Sequence, residues 1–462
     1  MDCIVVGGGS AGAMAALALA RAGIEVELYE ERSRGRAGAG WHDDVERGLL
    51  SDLGLDPPSG VVVHEPPRFI MTTRTGSPRH VLDPHPAMAL DMPVFCAWLL
   101  DQAEGAGATL HFETRARIGS FAGRGRVVDL PSGRKRAKVV VDARGLGRGA
   151  GAGTGAGVGE CGARLHPAID VCDAHQAVFV VSNKEEAAAF MRKHGLGNDD
   201  VVSIAGVEGG YSVLHVSVSL ERRKASVLGG AQPFPGRRTG RRIVEDFVSE
   251  TSWLGERVSG GGSLIPLRQT SPSLVDDGLV RLGDAAGQVF PVTGSGVALH
   301  LRAATMAAAV IARTVRLGHP TNAERLWPYN LEYQRGLGAV TAAYGPLRYV
   351  LASLTAKEAR LFLEAGVVGP DNIRAGYLNE LYSTGLSLVF RLLPHLPALL
   401  RVRANLANAL VRSALLVRHY RHFPKSPAGL ERWSRWEAVM LNPMREAALA
   451  RIDRNARHGA GR

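Results

Sequence analysis

Residues 3–31 read CIVVGGGSAGAMAALALARAGIEVELYEE, and the order of residue types in that stretch decides the fold. CIVV (3–6) is a short apolar run of strand type. Three glycines follow at once, then AGAMAALALARAG (11–23), a strong helix former that stops at Gly23. IEVELYEE (24–31) alternates into a second strand. Gly7, Gly9 and Gly12 stand in GxGxxG register between the two strands, and Glu30 closes the second. Gly7 permits the tight turn, Gly9 lets backbone N–H groups approach a pyrophosphate, and Gly12 allows close helix–strand packing. Glu30 is placed to accept hydrogen bonds from ribose hydroxyls. With Glu31 beside it, a 2′-phosphate is disfavoured, so NADP is not the expected ligand of this loop.

Working outward, PVFCAWLLDQAEGAGATLHF (93–112) reads as a helix and then a strand. RVVDLPSGRKRAKVVVDARG (126–145) reads as a hairpin followed by a buried strand. GLGRGAGAGTGAGVGECG (145–162) has neither a strand feeding it nor an apolar helix after it, and is expected to be a crossing between domains. From about residue 164 to 267, QAVFVVS, DVVSIAG, YSVLHVSVSL and ASVLGG are β-type runs of a mostly antiparallel sheet inserted into the nucleotide domain. DGLVRLGDAAG (277–287) returns to a buried strand, and the chain beyond is helical in Pro-punctuated amphipathic segments. The expected organisation is a first nucleotide-domain part over 1–162, the inserted sheet over 163–267, a second nucleotide-domain part over 268–318 and a helical region over 319–462.

RLGDAAGQVFPVTGSGVALHLRA (281–303) supplies the second diagnostic motif. Pro and Gly make the turn, and the helix that begins near Gly296 aims its positive end at the same spot. Combined with the first motif and the inserted sheet, this is the architecture of a flavoprotein. Asp284 would bind the ribityl hydroxyls of FAD. The helix dipole would face the N1/C2 carbonyl edge of the flavin and stabilise the charge of the reduced ring.

The chain has 462 residues, enough for two or more domains with a large buried core. Its formal charge is +11, and from Arg401 onward Lys and Arg outnumber Asp and Glu thirteen to four. A basic, Leu-rich tail suggests an anionic lipid surface or nucleic acid as partner, and equally fits a solvated basic face on a helical domain. Neither a zinc-finger spacing nor an RNP-like motif supports nucleic acid. Cys3, Cys96, Cys161 and Cys172 have no CxxC spacing and are expected to be reduced. STGLSLVFRLLPHLPALL (383–400) is interrupted by Arg391, Pro394, His395 and Pro397, so no transmembrane helix is expected, and no signal peptide pattern precedes CIVVGGG. The expected location is the cytoplasm, peripheral on the inner face of the membrane. TGSGV (293–297) has Thr293 where a nucleophile elbow needs glycine, and His419 and His422 lack a third ligand, so no metal site is expected.

The chain resembles the geranylgeranyl reductases, in particular the archaeal digeranylgeranylglycerophospholipid reductases, within the p-hydroxybenzoate hydroxylase-like class. The stretches that carry the resemblance are VVGGGSAG (5–12), IPLRQTSPSLVDDGLVRLGD (265–284) and LGDAAGQVFPVTGSGVALH (282–300). More telling are LWPYNLEYQRGLGAVTAAYGPLRYVLASLTAKEARLF (326–362) and HYRHFPKSPAGLERW (419–433). The resemblance implies an FAD-binding α/β fold with an inserted antiparallel substrate sheet. It also implies hydride transfer from flavin to isoprenoid double bonds of a prenylated archaeal lipid precursor. Its electron donor would be a ferredoxin or NAD(P)H. By position, the cofactor residues are Gly7, Gly9, Ala11, Gly12, Glu30, Trp41, His42, Ala116, Asp284, Gly294, Gly296 and Val297.

Two departures stand out. In AGAGWHDDV (37–45), Trp41 and His42 occupy the place of the family's Cys-Gly near the flavin. The family's aromatic substrate motif keeps Tyr211, while Val213, His215 and Val216 replace its tryptophan, phenylalanine and proline. Ser226 falls near the asparagine that follows, and Gly230 keeps a glycine. His42 and Tyr211 are the candidate catalytic residues. Tyr211, Val213 and His215, on one strand face by the period of two, are the candidate substrate residues. A monooxygenase of the same superfamily and a catalytically inactive flavin- or lipid-binding paralogue are the alternative readings. VVDARG, where hydroxylases carry Asp-Gly, favours the reductase.

Overall fold

The computed structural model describes residues 1–123, 125–146, 168–382 and 403–459. Cys161, the expected boundary at 162/163, most of the Gly-rich crossing and the segment 383–400 lie outside the described residues.

Strand Cys3–Val6 is fully apolar and sits in the middle of a six-stranded sheet, parallel to Val26–Tyr29 on one side and Val139–Asp142 on the other. Thr109–His111 extends the sheet past Val26–Tyr29. Leu279–Arg281 extends it past Val139–Asp142, with Val275–Asp276 as an antiparallel edge. The chain leaves Cys3–Val6 to one side and later returns on the other, which opens a crevice at the carboxyl end of that strand. Helix Ser10–Arg21 fills one face, and its alanines allow close contact with Val297–Arg316 and Met92–Gly105. The helix stops at Gly23, which takes φ +70°, a backbone conformation that costs glycine nothing.

The second sheet has seven strands in the order Leu254–Pro266, Val171–Val181, Lys224–Ala231, Ser212–Ser219, Val201–Ala205, Phe69–Thr72 and His80–Leu82. All neighbours are antiparallel except Val201–Ala205 with Phe69–Thr72, which is parallel. The sheet therefore reaches outside residues 163–267 and takes two strands from the segment before the crossing. Along Ser212–Ser219, Leu214, Val216 and Val218 bury against Ile243 and Val244 of helix Gly240–Ser249. The alternate residues face the other way.

A three-stranded sheet, His42–Glu46, Ala87–Asp91 and Val62–His64, lies between these layers. The chain after Gly296 is helical throughout its described part. Helices Arg403–Arg421 and Leu430–Gly459 both pack on Ala339–Ala352. Among the described residues, no helix is long and apolar enough to cross a membrane.

Candidate functional site

A Cβ on Gly7 would lie 2.4 Å from the Ala143 carbonyl oxygen, and one on Gly12 only 1.9 Å from the Gly7 oxygen. Neither position admits a side chain. A Cβ on Gly9 would meet nothing closer than Gly38 Cα at 3.6 Å, so Gly9 is small toward open space, as a backbone that receives a ligand must be. Gly9 also caps helix Ser10–Arg21 without any side-chain hydrogen bond, which leaves the first-turn amides for an anion. Glu30 is buried, and its carboxylate accepts hydrogen bonds from the Gly8 N–H (2.6 Å) and the Arg32 N–H (2.9 Å). Each oxygen keeps a lone pair for a ribose hydroxyl. Ala116 follows the strand beside Glu30 and packs with Val6 and Tyr29.

The two motifs, more than 270 residues apart in sequence, meet in space. A Cβ on Gly283 (φ +67°) would touch the Ala11 Cβ at 3.0 Å. His300, on helix Val297–Arg316, shares a hydrogen bond with Ser10 Oγ through Nδ1 (3.0 Å) and places Nε2 3.3 Å from Asp284 Oδ1. That Nε2 is buried and makes no hydrogen bond. Ser10, His300 and Asp284 thus form a polar seam from the pyrophosphate end of the loop to the ribityl position. His300 was not foreseen in sequence, where it is one residue of an Ala-rich helix. The open first turn at Gly9, the side-chain-free Gly12 and the orphaned His300 nitrogen suit a bound dinucleotide.

Gly296 caps Val297–Arg316 with no side-chain bond, and Val297 is buried as the first helical residue. A Cβ on Gly294 (φ +76°) would lie 3.2 Å from the Tyr211 hydroxyl, so the strand and the flavin-side loop are in contact. Beside this loop is a cavity of about 290 Å³. Trp41, His42, Tyr211, Val213, His215 and Gly294 all line it, with Ser217 continuing the strand face. Helical residues Leu347, Leu351 and Ile373 close the other side. The structure thus brings Tyr211, Val213 and His215 together with His42.

Their chemistry differs. Burial pushes the His215 imidazole down to about 4 and holds His42 below its ordinary value, although Asp91 Oδ2 lies 3.8 Å from His42 Nε2. Both rings are neutral at pH 7, so His42 is a weak proton source. Burial raises the Tyr211 phenol well above its usual range, which keeps it protonated and able to donate a hydrogen bond.

The groups missed in sequence are Asp43 and Asp44, which also line the cavity. Burial pushes Asp43 up to about 6; burial and the Asp43 charge push Asp44 up to about 7. Ser295 Oγ is within hydrogen-bonding distance of Asp43 Oδ1 (3.4 Å) and the Asp44 carbonyl oxygen (3.1 Å), while the Asp44 carboxyl has no hydrogen-bond partner among the described residues. An uncharged carboxylic acid near pH 7 is a proton donor of matched strength.

The fold and the paired motifs define an FAD-dependent oxidoreductase. Residues 2–42 match the family model described as glucose inhibited division protein A. A digeranylgeranylglycerophospholipid reductase 1 of Methanopyrus kandleri is 27% identical over 308 residues, covering 64% of this chain and 76% of its own. A geranylgeranyl bacteriochlorophyll reductase-like protein of Thermoplasma acidophilum superposes with a TM-score of 0.66 at 17% identity, covering 87% of this chain and 98% of its own. CtdE, solved in complex with FAD, superposes with a TM-score of 0.58 at 14% identity, covering 77% and 90%. Within the flavoenzymes, the chain is similar to the geranylgeranyl reductases, as its motifs indicate.

Proposed function

We propose that this protein saturates isoprenoid C=C bonds in the geranylgeranyl chains of a membrane lipid precursor. The observation that carries the reading is a mostly apolar cavity whose lining includes protonatable carboxyls beside the TGSG loop. When bound, FAD supplies the hydride. Gly7, Gly9 and Gly12 would hold its pyrophosphate, Glu30 its ribose, and Asp284 its ribityl chain. Val213, Leu228 and Ile265 on the sheet, with Leu347 and Ile373 opposite, would align an alkene and keep water out. Reduction of C=C to CH–CH takes one hydride on one carbon and one proton on the other. We assign the proton to Asp44, with Tyr211 as a neutral hydrogen-bond donor on the opposite wall. The electrons would come from a ferredoxin or NAD(P)H. The protein would work in the cytoplasm against the inner membrane face.

The test is anaerobic. The purified holoprotein is reduced with dithionite and given digeranylgeranylglyceryl phospholipid, then geranylgeranyl diphosphate. Flavin reoxidation with products heavier by two hydrogens per step supports the reading. Reduced flavin that persists with both but reoxidises in air, with NAD(P)H consumption stimulated by a lipid, replaces it with the monooxygenase reading.

A further inference from the structure

The two last helices leave an apolar face without a partner among the described residues. On Arg403–Arg421, Val411 and Leu415 are one turn apart and 60% and 44% exposed. On Leu430–Gly459, Trp436 and Val439 are 55% and 61% exposed. The helices are in register there. Arg412 Nη1 donates to the Val439 and Met440 carbonyl oxygens (both 2.9 Å), and the His419 ring stacks on Trp433 at 4.5 Å with Trp436 at 6.4 Å. Those contacts bracket Val411, Leu415, Trp436 and Val439 into one patch.

Four of the nine large apolar side chains that the described residues expose are in this patch, so scattered surface hydrophobes do not account for it. Cations flank it toward the turn that joins the two helices. Arg418, Arg421, Lys425 and Arg432 are exposed and make no ion pair among the described residues, whereas Arg435 is paired with Glu431. The reverse of the same helix faces the site: Leu410, next to Val411, lines the substrate cavity.

We infer that Val411, Leu415, Trp436 and Val439, with the basic rim of Arg418, Arg421, Lys425 and Arg432, form a docking face for an anionic bilayer surface. An apolar centre with a Trp, bordered by long cationic side chains, is the composition of an interfacial anchor. The apolar groups enter the acyl boundary while the arginines remain at the headgroups. The charge complementarity selects anionic lipid over a second copy of this chain, which would bring a second basic rim against the first. The inference rests on the prenyl-lipid reading only for the reason to visit a membrane. The face itself is independent of the substrate.

The test is co-sedimentation of the FAD-loaded full chain with vesicles of phosphatidylglycerol and phosphatidylcholine, against vesicles of phosphatidylcholine alone. Binding to the anionic vesicles that weakens with salt is expected. Trp436→Ser with Val439→Ser should weaken it at least about tenfold, and Arg418→Gln with Arg432→Gln by roughly fivefold per charge. Flavin content and thermal unfolding should be unchanged, since all four side chains are exposed. Vesicle binding untouched by both double variants overturns the inference. So does a dimer that Trp436→Ser dissociates while vesicles capture nothing. A protein that binds vesicles through this face yet transfers no hydride to any prenyl lipid leaves the inference standing and removes the proposed substrate instead.

Discussion

Replacing Asp44 by Asn tests the proposed proton donor and the electrostatics behind it together. Asn keeps the size of the side chain and removes the ionisable proton. In the folded protein the Asp44 carboxyl is pushed up to about 7 from its ordinary 3.8, first by burial and then by Asp43. The folded state therefore binds a proton more tightly than the unfolded chain. Stability contributed by that proton is present below about pH 4 and is lost as pH rises through about 7. The difference between 3.8 and about 7 corresponds to a ceiling of ~4 kcal/mol. Sharing with Asp43 and contact with cavity water bring the expected value nearer ~1–2 kcal/mol. Asp44→Asn should accordingly unfold at a higher temperature than the parent at pH 8, by a few degrees, and lose that advantage at pH 4.5. Alkene-driven flavin reoxidation, followed by stopped-flow absorbance under anaerobic conditions, should fall by about 10²–10³, the usual worth of a positioned acid. The parent rate should decline as pH rises above about 7, and the variant should lack that limb. Asp43→Asn, which keeps the Asp44 proton, should lose less. A rate within about threefold of the parent with the same pH limb would refute Asp44 as donor. Equal unfolding temperatures at pH 8 would refute the claim that its carboxyl is held uncharged.

Gly12→Ala forces a methyl to within 1.9 Å of the Gly7 oxygen and should yield a protein without flavin absorbance near 450 nm on the order of the parent's, even in excess FAD. His300→Ala breaks the seam between Ser10 and Asp284; fluorescence titration should show FAD binding weaker by about tenfold, with His300→Gln recovering part of it. His215→Ala should leave the reoxidation rate nearly unchanged, because the imidazole is neutral and touches the Phe69 ring rather than a polar partner, and should alter the pattern of reduced bonds by widening the cavity. A rate loss above about 100-fold would make His215 a member of the proton path.

The first thirty residues carried the fold openly because the glycine spacing, the helix former after it and the acidic residue closing the second strand all lie within one short βαβ stretch. The inserted sheet was legible in Val171–Ala231 and was not read at its far edge. Phe69–Thr72 and His80–Leu82 are four and three residues long, and a period of two cannot be read from so few positions. The polar heart of the site was hidden for a different reason. Nothing local to the adjacent Asp43 and Asp44 signals that the seven-stranded sheet and the helical region will line one cavity with them. His300 is similar: its role depends on Ser10 and Asp284, which only folding brings to it. Chemistry set by local backbone geometry is visible in sequence, while chemistry set by burial is not.

The composition of the cavity wall bears on how a lipid would lie in it. Two carboxyls are part of its wall, and neither Lys nor Arg lines any part of it among the described residues. A phosphate or diphosphate carried inside would lose its hydration with no counter-charge and would face Asp43 and Asp44. The head of the substrate must then remain outside, and the prenyl chain must thread in tail first. Headgroup chemistry should therefore affect capture more than turnover. Replacing the diphosphate of geranylgeranyl diphosphate with a neutral alcohol, both presented in detergent micelles, should leave the maximal reoxidation rate within about fivefold. Shortening the chain from geranylgeranyl to geranyl should lower it by about tenfold or more, since each isoprene unit left out removes several buried carbons. A maximal rate that collapses with the neutral head and survives the short chain would place the headgroup inside the cavity and invert this orientation.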